Sequence, residues 1–451
     1  MEFSLWEYLC GGGGGQALPW PALALAAAVA LALAALAFAA GRRQAPVYLL
    51  DFVAARPDDS WSHSRAQIEA AGEASKFFSQ ETFDFQRKVL YASGLGNETY
   101  SPDWLHSFPQ DTSIAKGRLE FSMLALTATR ELFERTGVSP ADVGVVVVNS
   151  SVFCPTPSLA AMVMNHFKMA PDTIHFNLGG MGCAASPIAI DCARQALAVK
   201  RNTYALVLST EVITQGVYTG TQRSMLVPNV LFRSGGAAML LTNKPSEARR
   251  SKYVLRHLVR TAVMADDAAY GAAVEMEDDA GIKGIKLSRE LPRIAASALQ
   301  LNLAQLGPKV LPWSEKLRFA ANWSARRLLR RADLKPYRPD LQKAAAHICI
   351  HTGGKAVIDG IKGELSLSDA TCEPSRAALY RYGNTSSSSL WYVLSYIESF
   401  RGSAAATACC SWRSARASSR GAAPAPAPAA DKAMGRVPSL ADIARREKDQ
   451  A

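Results

Sequence analysis

No group among the eight cysteines (Cys10, Cys154, Cys183, Cys192, Cys349, Cys372, Cys409 and Cys410) has the paired spacing of a zinc site or a redox motif. Histidine is scarce as well, with seven in 451 residues, and no cluster of His, Cys, Asp and Glu suggests a metal centre. These absences exclude a small disulfide-stapled scaffold and point to a reducing compartment. The chain is long enough to bury a sizeable core unaided, as two domains or as one large duplicated domain with appendages. Its net charge of +11 is spread along the sequence, with local runs at Arg249-Arg250-Ser251-Lys252 and from Arg326-Arg327 to Arg330-Arg331. Such runs read as solvated faces, the alternative being attraction to anionic headgroups or phosphates.

Charge is missing altogether from one segment. The nineteen residues from Ala22 to Ala40 are all Ala, Leu, Val or Phe, and uncharged flanks extend the stretch from Gln16 to Gly41. At helical rise this length spans a bilayer core of ~30 Å. The preceding segment carries Glu2 and Glu7 where a cleaved signal peptide needs positive charge, so a membrane anchor is expected over 17–41. Arg42 and Arg43 follow the span directly, which puts the remainder of the chain in the cytosol.

After the span, 42–84 reads as a juxtamembrane strand, Val47 to Phe52, and a polar linker. Beyond it short apolar runs alternate with helical stretches. Val143–Val148, Tyr204–Ser209 and Gly235–Leu241 read as strands, and Ser158–Phe167 as a helix. Continuous apolar runs without alternation imply strands covered on both faces. A first α/β half over 85–245, a connecting segment over 246–283 and a second half over 284–403, with a buried strand His347–Ile350, are expected.

Three positions can carry chemistry. Asn177-Leu178-Gly179-Gly180-Met181-Gly182-Cys183 is a glycine turn leading into the apolar-periodic stretch Ile188–Val199, which puts Cys183 at the mouth of a helix. Backbone N–H groups and the helix dipole there favour a thiolate, although a small cysteine packed under a turn fits the same pattern. His351 follows the apolar run ending at Ile350 and precedes Gly353-Gly354, a place suited to an active-site base and equally to a structural histidine. Asn384 opens the polar stretch Gly383–Ser389 before the helix Leu390–Ser399, where an ordinary N-cap is the alternative role.

The runs Val148–Leu159, Asn177–Ala185, Arg201–Ala205, Ser224–Asn229 and Arg381–Ser389 resemble, in order, segments of the plant-type very-long-chain 3-ketoacyl-CoA synthases, the condensing enzymes of fatty-acid elongation. The similarity runs from about Val47 to Ser399. It implies a thiolase-like duplicated α/β/α/β/α fold behind an N-terminal transmembrane helix. It also implies a Cys-His-Asn site at Cys183, His351 and Asn384. Cys183 would take an acyl group from a long-chain acyl-CoA, while His351 and Asn384 would stabilise the enolate left when malonyl-CoA loses carbon dioxide. No metal, redox cofactor or nucleic acid is implied. A homodimer working with other elongation enzymes at the endoplasmic reticulum membrane is. A chalcone-synthase-like polyketide enzyme is the alternative on the same fold.

The chain departs from this family in several places. One span is visible where members usually begin with two, Ala262 stands where a histidine commonly precedes Ala265-Asp266-Asp267, and Tyr380 replaces another histidine. The largest departure follows Ser403. Members end with a strand and a glycine turn, whereas this chain continues from Ala404 through Cys409-Cys410 and Trp412 into an Ala/Pro-rich tail. One permitted back-translation of Ala404–Ser419, read from its third base, encodes Gly-Gly-Asp-Arg-Val-Leu-Leu-Leu-Ala-Phe-Gly-Ser-Gly-Phe-Lys, which resembles the missing ending. Residues 404–451 are therefore expected to be out of frame and disordered. The lost turn would supply an oxyanion-hole N–H, so weak activity, or a catalytically impaired membrane-bound partner, is a further expectation.

Overall fold

The protein is described from a computed structural model covering residues 45–401 except 329 and 332, residues 28–29, and the backbone of 408–409 and 412–414. The chain divides into the units Met1–Ala45 and Pro46–Ala451. The apolar span expected over 17–41 lies, but for 28–29, outside the described residues. No helix among the described residues is long and apolar enough to cross a membrane.

The second unit is organised by strands β1 (Tyr48–Ala54), β2 (Ser62–His63), β3 (Thr99–Tyr100), β4 (Val143–Asn149), β5 (Ile174–Leu178), β6 (Tyr204–Glu211), β7 (Gly235–Thr242), β8 (Tyr253–Leu255), β9 (Ala273–Glu277), β10 (Lys283–Leu287), β11 (Ala408–Cys409) and β12 (Trp412–Ser414). Eight of them form one sheet in the order β11-β12-β8-β1-β7-β6-β4-β5. Strand β4 pairs in parallel with β5 and β6, and the β6–β7, β7–β1 and β1–β8 pairs are antiparallel. Parallel neighbours need long crossovers. Helices Leu159–Phe167 and Ala185–Val199 supply them, the first capped by the Ser158 hydroxyl. Because both faces of the sheet are covered, β4, β6 and β7 are buried along their whole length, as their unbroken apolar runs require. The parallel arrangement also brings the C-terminal ends of β4, β5 and β6 to one edge, where α/β sheets open their crevices.

The strand foreseen near 47–52 forms as β1, which belongs to the main sheet, inserted between β7 and β8 and buried at Leu49, Leu50, Phe52 and Val53. The stretch after it is not a polar linker, since helices Arg65–Ser75 and Gln80–Ala92 form there, capped by Ser64 and Ser79. Long polar side chains on their outer faces gave that segment its linker-like composition.

The second half is helical where a sheet was expected. Between 288 and 401 the described residues form helices Leu291–Val310, Trp313–Arg327, Lys355–Leu365, Asp369–Tyr382 and Ser389–Arg401, and no strand. The run His347–Ile350 is not a strand. Ile350 instead donates its N–H to Ser375 Oγ at 3.0 Å. A hairpin of β9 with β10 runs from the connecting segment into the first residues of the second half. In the tail expected to be disordered, β11 and β12 pair with each other and β12 pairs with β8, because the short strand β8 leaves an edge that a further strand can cover. The rest of 402–451 lies outside the described residues.

Candidate active site

Cys183 sits where strand β5 turns into its crossover helix. Gly180 and Gly182 adopt φ values of +65° and +63°, which an L side chain takes up only with strain, so the glycines allow the sharp approach to a one-turn 3-10 helix over Gly182–Ala184. Burial pushes the Cys183 thiol up to about 11, and the charge of Glu211 adds to the effect, opposed by the Ser386 hydroxyl. Lost solvation and a nearby carboxylate thus work against the helix terminus, which favours the thiolate.

His351 lies in the loop before helix Lys355–Leu365. Burial lowers it to about 4, so the imidazole is neutral at pH 7. Its Nδ1 stands 2.7 Å from Ser389 Oγ; a neutral ring accepting there carries its proton on Nε2. Asn384 is 4 % exposed, and its Oδ1 accepts the Ser386 N–H at 2.9 Å. This is an Asx turn and not the helix N-cap considered from sequence: the residue capping the 3-10 turn over Ser386–Ser388 is Thr385, which makes no side-chain cap hydrogen bond. The Asn384 backbone also bridges to Phe232, where Arg233 N–H donates to Asn384 O at 3.0 Å.

No hydrogen bond joins Cys183, His351 and Asn384 to one another among the described residues. What links them is the loop Thr385–Ser389, five hydroxyl side chains in a row, none more than 2 % exposed. Ser386 Oγ stands 3.9 Å from Cys183 Sγ, Ser387 donates to Asn149 Oδ1 at 2.6 Å, and Ser389 faces His351. On the other side, Thr352 donates to Gly383 O at 2.8 Å, tying the histidine segment to the start of the loop.

Glu211, at the end of β6, was not foreseen. It is 2 % exposed; its Oε1 accepts from Ser150 Oγ at 3.1 Å and from the N–H groups of Ser151 and Val152 at 2.8 Å each, and its Oε2 accepts from Ser386 Oγ at 3.0 Å. Burial raises its carboxyl above the usual range in spite of these donors. An acidic residue closing an otherwise apolar strand was the signal available in the sequence. Glu120, wholly buried, plays a bracing part: it accepts from Ile213 N, Thr214 N, Thr214 Oγ1 and Ser234 Oγ, joining the loops that leave β6 and enter β7.

A cavity of about 160 Å³ reaches this region at Glu211, Val152 and Phe232. Phe78, Phe83 and Leu90, from or beside the two helices that replace the expected linker, contribute to its largely apolar wall. An apolar cavity ending at a few fixed polar groups suits a ligand with a long hydrocarbon part and a polar reacting end.

A mixed α/β chain with its cysteine at a strand-to-helix turn has the thiolase-like form of a type III polyketide synthase. In fold it is similar to the type III polyketide synthase domain of Steely1, a type I/III hybrid from Dictyostelium, with a TM-score of 0.61 and 17% identity over 78% of this chain and 92% of that one. PKS-I from the brown alga Ectocarpus siliculosus gives 0.59 and 16%, covering 82% and 94%. The family described as FAE1/type III polyketide synthase-like protein matches residues 38–328, and the chalcone and stilbene synthase C-terminal domain matches 343–412. Among curated proteins, 3-ketoacyl-CoA synthase 17 of Arabidopsis thaliana is 46% identical over 356 residues, 79% of this chain and 73% of that protein. 3-Ketoacyl-CoA synthase 4 of the same plant is 47% identical over 79% and 69%. Probable 3-ketoacyl-CoA synthase 20 of Oryza sativa subsp. japonica is 46% identical over 80% and 69%. The chain belongs to the FAE1/type III polyketide synthase-like family.

Proposed function

We propose that the protein is a very-long-chain 3-oxoacyl-CoA synthase, an acyltransferase that condenses malonyl-CoA with a long-chain acyl-CoA to give a 3-oxoacyl-CoA two carbons longer. The similarity to 3-ketoacyl-CoA synthases over four fifths of the chain carries this reading. Cys183 is assigned the acyl group, held as a thioester after CoA leaves. His351 and Asn384 are assigned the enolate formed by decarboxylation. A neutral imidazole with its proton on Nε2 and an asparagine amide whose oxygen is already engaged can both donate to a developing oxyanion without carrying charge of their own. Both substrates bring their own reactive thioesters, so the chemistry calls on no metal or redox group.

The same proposal places the protein in the endoplasmic reticulum membrane, anchored through 17–41, with its catalytic part in the cytosol as a homodimer beside other elongation enzymes. The charge asymmetry around the apolar stretch supports that orientation. Incubating the anchored protein with radiolabelled malonyl-CoA and a panel of acyl-CoAs tests the activity: labelled 3-oxoacyl-CoA is expected, and label released only as carbon dioxide, with no elongated product, would refute it. Protease added to sealed microsomes should digest the region after Arg43; its full protection would reverse the topology.

A further inference from the structure

Large apolar side chains crowd onto the outside of one helix. On and just beyond helix Trp313–Arg327, the residues Trp313, Leu317, Phe319, Trp323 and Leu328 are each between 48 % and 75 % exposed. Apolar residues scattered singly over a surface need no explanation, whereas five gathered on one short stretch, two of them tryptophans, mark a contact site.

The opposite side of the helix holds this face outward. Glu315 is fully buried and accepts from Tyr337 Oη at 2.6 Å, from the Asp340 N–H at 3.0 Å and from Lys343 Nζ at 2.8 Å. Asn322, two turns further on, donates to Lys335 O at 3.1 Å and accepts the Tyr337 N–H at 2.9 Å. Away from these two anchors, Trp313, Leu317, Ala320 and Leu328 recur at helical spacing and form the outer ridge.

Charge completes the pattern. From Leu311 to Arg331 the sequence holds six cations and one acid, and that acid is the buried Glu315. Arg318 leans towards Glu315 at 3.5 Å and Arg331 pairs with Asp333 at 2.9 Å. Lys316, Arg326, Arg327 and Arg330 form no ion pair among the described residues. Lys316 lies over the Trp313 ring, its Nζ 4.8 Å from the centroid.

An apolar ridge that is edged with unpaired cations and carries exposed indole rings matches the layered chemistry of a bilayer interface. The ridge suits the upper acyl chains, the indoles suit the headgroup level, and the cations suit anionic headgroups. A two-fold contact with a second copy would instead set these cations against one another. Resting on the membrane placement proposed above and deepening it, we infer that helix Trp313–Arg327 is a second membrane contact, lying flat in a leaflet that contains anionic phospholipid. Such a contact fixes the catalytic unit at the surface into which long acyl chains partition, where a single span would leave it free to swing.

The test is photolabelling of the full chain in two kinds of vesicle, phosphatidylcholine alone and three parts phosphatidylcholine to one of phosphatidylserine. Both contain a phosphatidylcholine with a diazirine in its acyl chain, and the labelled peptides are mapped by mass spectrometry. Label is expected in 17–41 and in 313–328, and at 313–328 it should rise with phosphatidylserine and fall in high salt. Tyr270 is the internal control: it is 69 % exposed but follows Asp266 and Asp267, and it should stay unlabelled. Arg326→Gln with Arg327→Gln should lower the ratio of docked to free helix about fivefold per cation. Trp313→Ser with Leu317→Ser should bring the labelling of 319–328 down to that of Tyr270. All four side chains are exposed and the bonds of Glu315 and Asn322 are untouched, so both variants should fold, which circular dichroism checks. Label in 17–41 with none in 313–328 would overturn the docking and leave the anchor standing, whereas label in 313–328 alone would support the docking and overturn the anchor. Label in neither would overturn both. Labelling of 313–328 that ignores phosphatidylserine and salt would refute the part given to charge, and with it the proposal. If a second copy covers this face, 313–328 will stay unlabelled and Trp313→Ser with Leu317→Ser will halve the particle mass in detergent, which also overturns it.

Discussion

Replacing Gly383 by alanine should damage both the fold and the site, and the structure sets the size of the effect. Gly383 ends helix Asp369–Tyr382 with φ +71° and ψ −157°, a region of backbone space reserved almost wholly for glycine. Forcing alanine into it costs about 1–3 kcal/mol. A Cβ there would lie 2.5 Å from Arg233 Cγ and 2.8 Å from Leu95 Cδ2. Arg233 cannot swing aside cheaply, since its Nε donates to Thr99 Oγ1 and its Nη1 to Val230 O and Phe232 O, all within 2.9 Å. Overpacking adds about 1–3 kcal/mol, so a destabilisation of about 2–6 kcal/mol is expected if the two costs add. Gly137→Ala is the control: its φ of +66° carries backbone strain, but nothing lies within 4 Å of the new Cβ, so about 1–2 kcal/mol is expected. Denaturant unfolding of both variants measures the difference. Equal losses would show that the contact with Arg233 relaxes freely and refute the reasoning. Because Asn384 follows Gly383 directly, malonyl-CoA decarboxylation should also slow in Gly383→Ala and not in Gly137→Ala.

Cys183→Ala should abolish condensation while leaving the unfolding midpoint close to that of the parent, and retained elongation would sink the assignment of the nucleophile. His351→Ala and Asn384→Ala should slow malonyl-CoA decarboxylation yet still allow labelled acyl-CoA to load Cys183; equal failure of loading would remove the division of roles. His351 and His106 are held neutral by burial, at about 4 and about 3, against 6.5 for an unperturbed histidine. Folded-state values below the unfolded one mean that the unfolded chain binds protons first, so stability should fall as pH drops from about 6.5 towards 4. The decline, followed by thermal melts, should be shallower in His106→Gln, and an identical decline would exonerate that residue. Lastly, protein carrying the frame-corrected ending after Ser403 should elongate about 10²–10³-fold faster than the chain as it stands, the value of one oxyanion-hole donor. Equal rates would show that ending to be dispensable.

How far the sequence could be read depended on whether a feature was local. The strands β4, β6 and β7 and the helix after Ser158 could be placed from unbroken apolar runs and a cap, because those signals lie within a few residues. The turn before Cys183 was legible for the same reason. Segment 65–84 was misjudged because its helices bury only part of one face, and their exposed Glu, Gln, Lys and Arg dominate the composition. The run His347–Ile350 has strand-like residues, but a ladder needs a neighbour far along the chain, which no local pattern reports. The run Thr385–Ser389 read as a polar lead-in to a helix and proved deeply buried, because its partners Asn149, Cys183 and Glu211 lie more than 170 residues upstream. For that reason the composition of a serine run says little about its depth. Glu211 escaped notice on the same ground: its meaning lies in what folds against it.

That hydroxyl loop is a seam. On one flank its fasteners are Asn149, Cys183 and Glu211 from the first half of the chain, and on the other they are His351 and Thr352 from the second. The chain could therefore be cut at the exposed Lys335-Pro336 and supplied as two polypeptides, and the parts would have to meet along these few serines before either held a working site. A condensing centre stitched in this way is an all-or-nothing object: half of it is not a weaker enzyme but none, and reassembly of the cut halves would report directly on the closing of the seam.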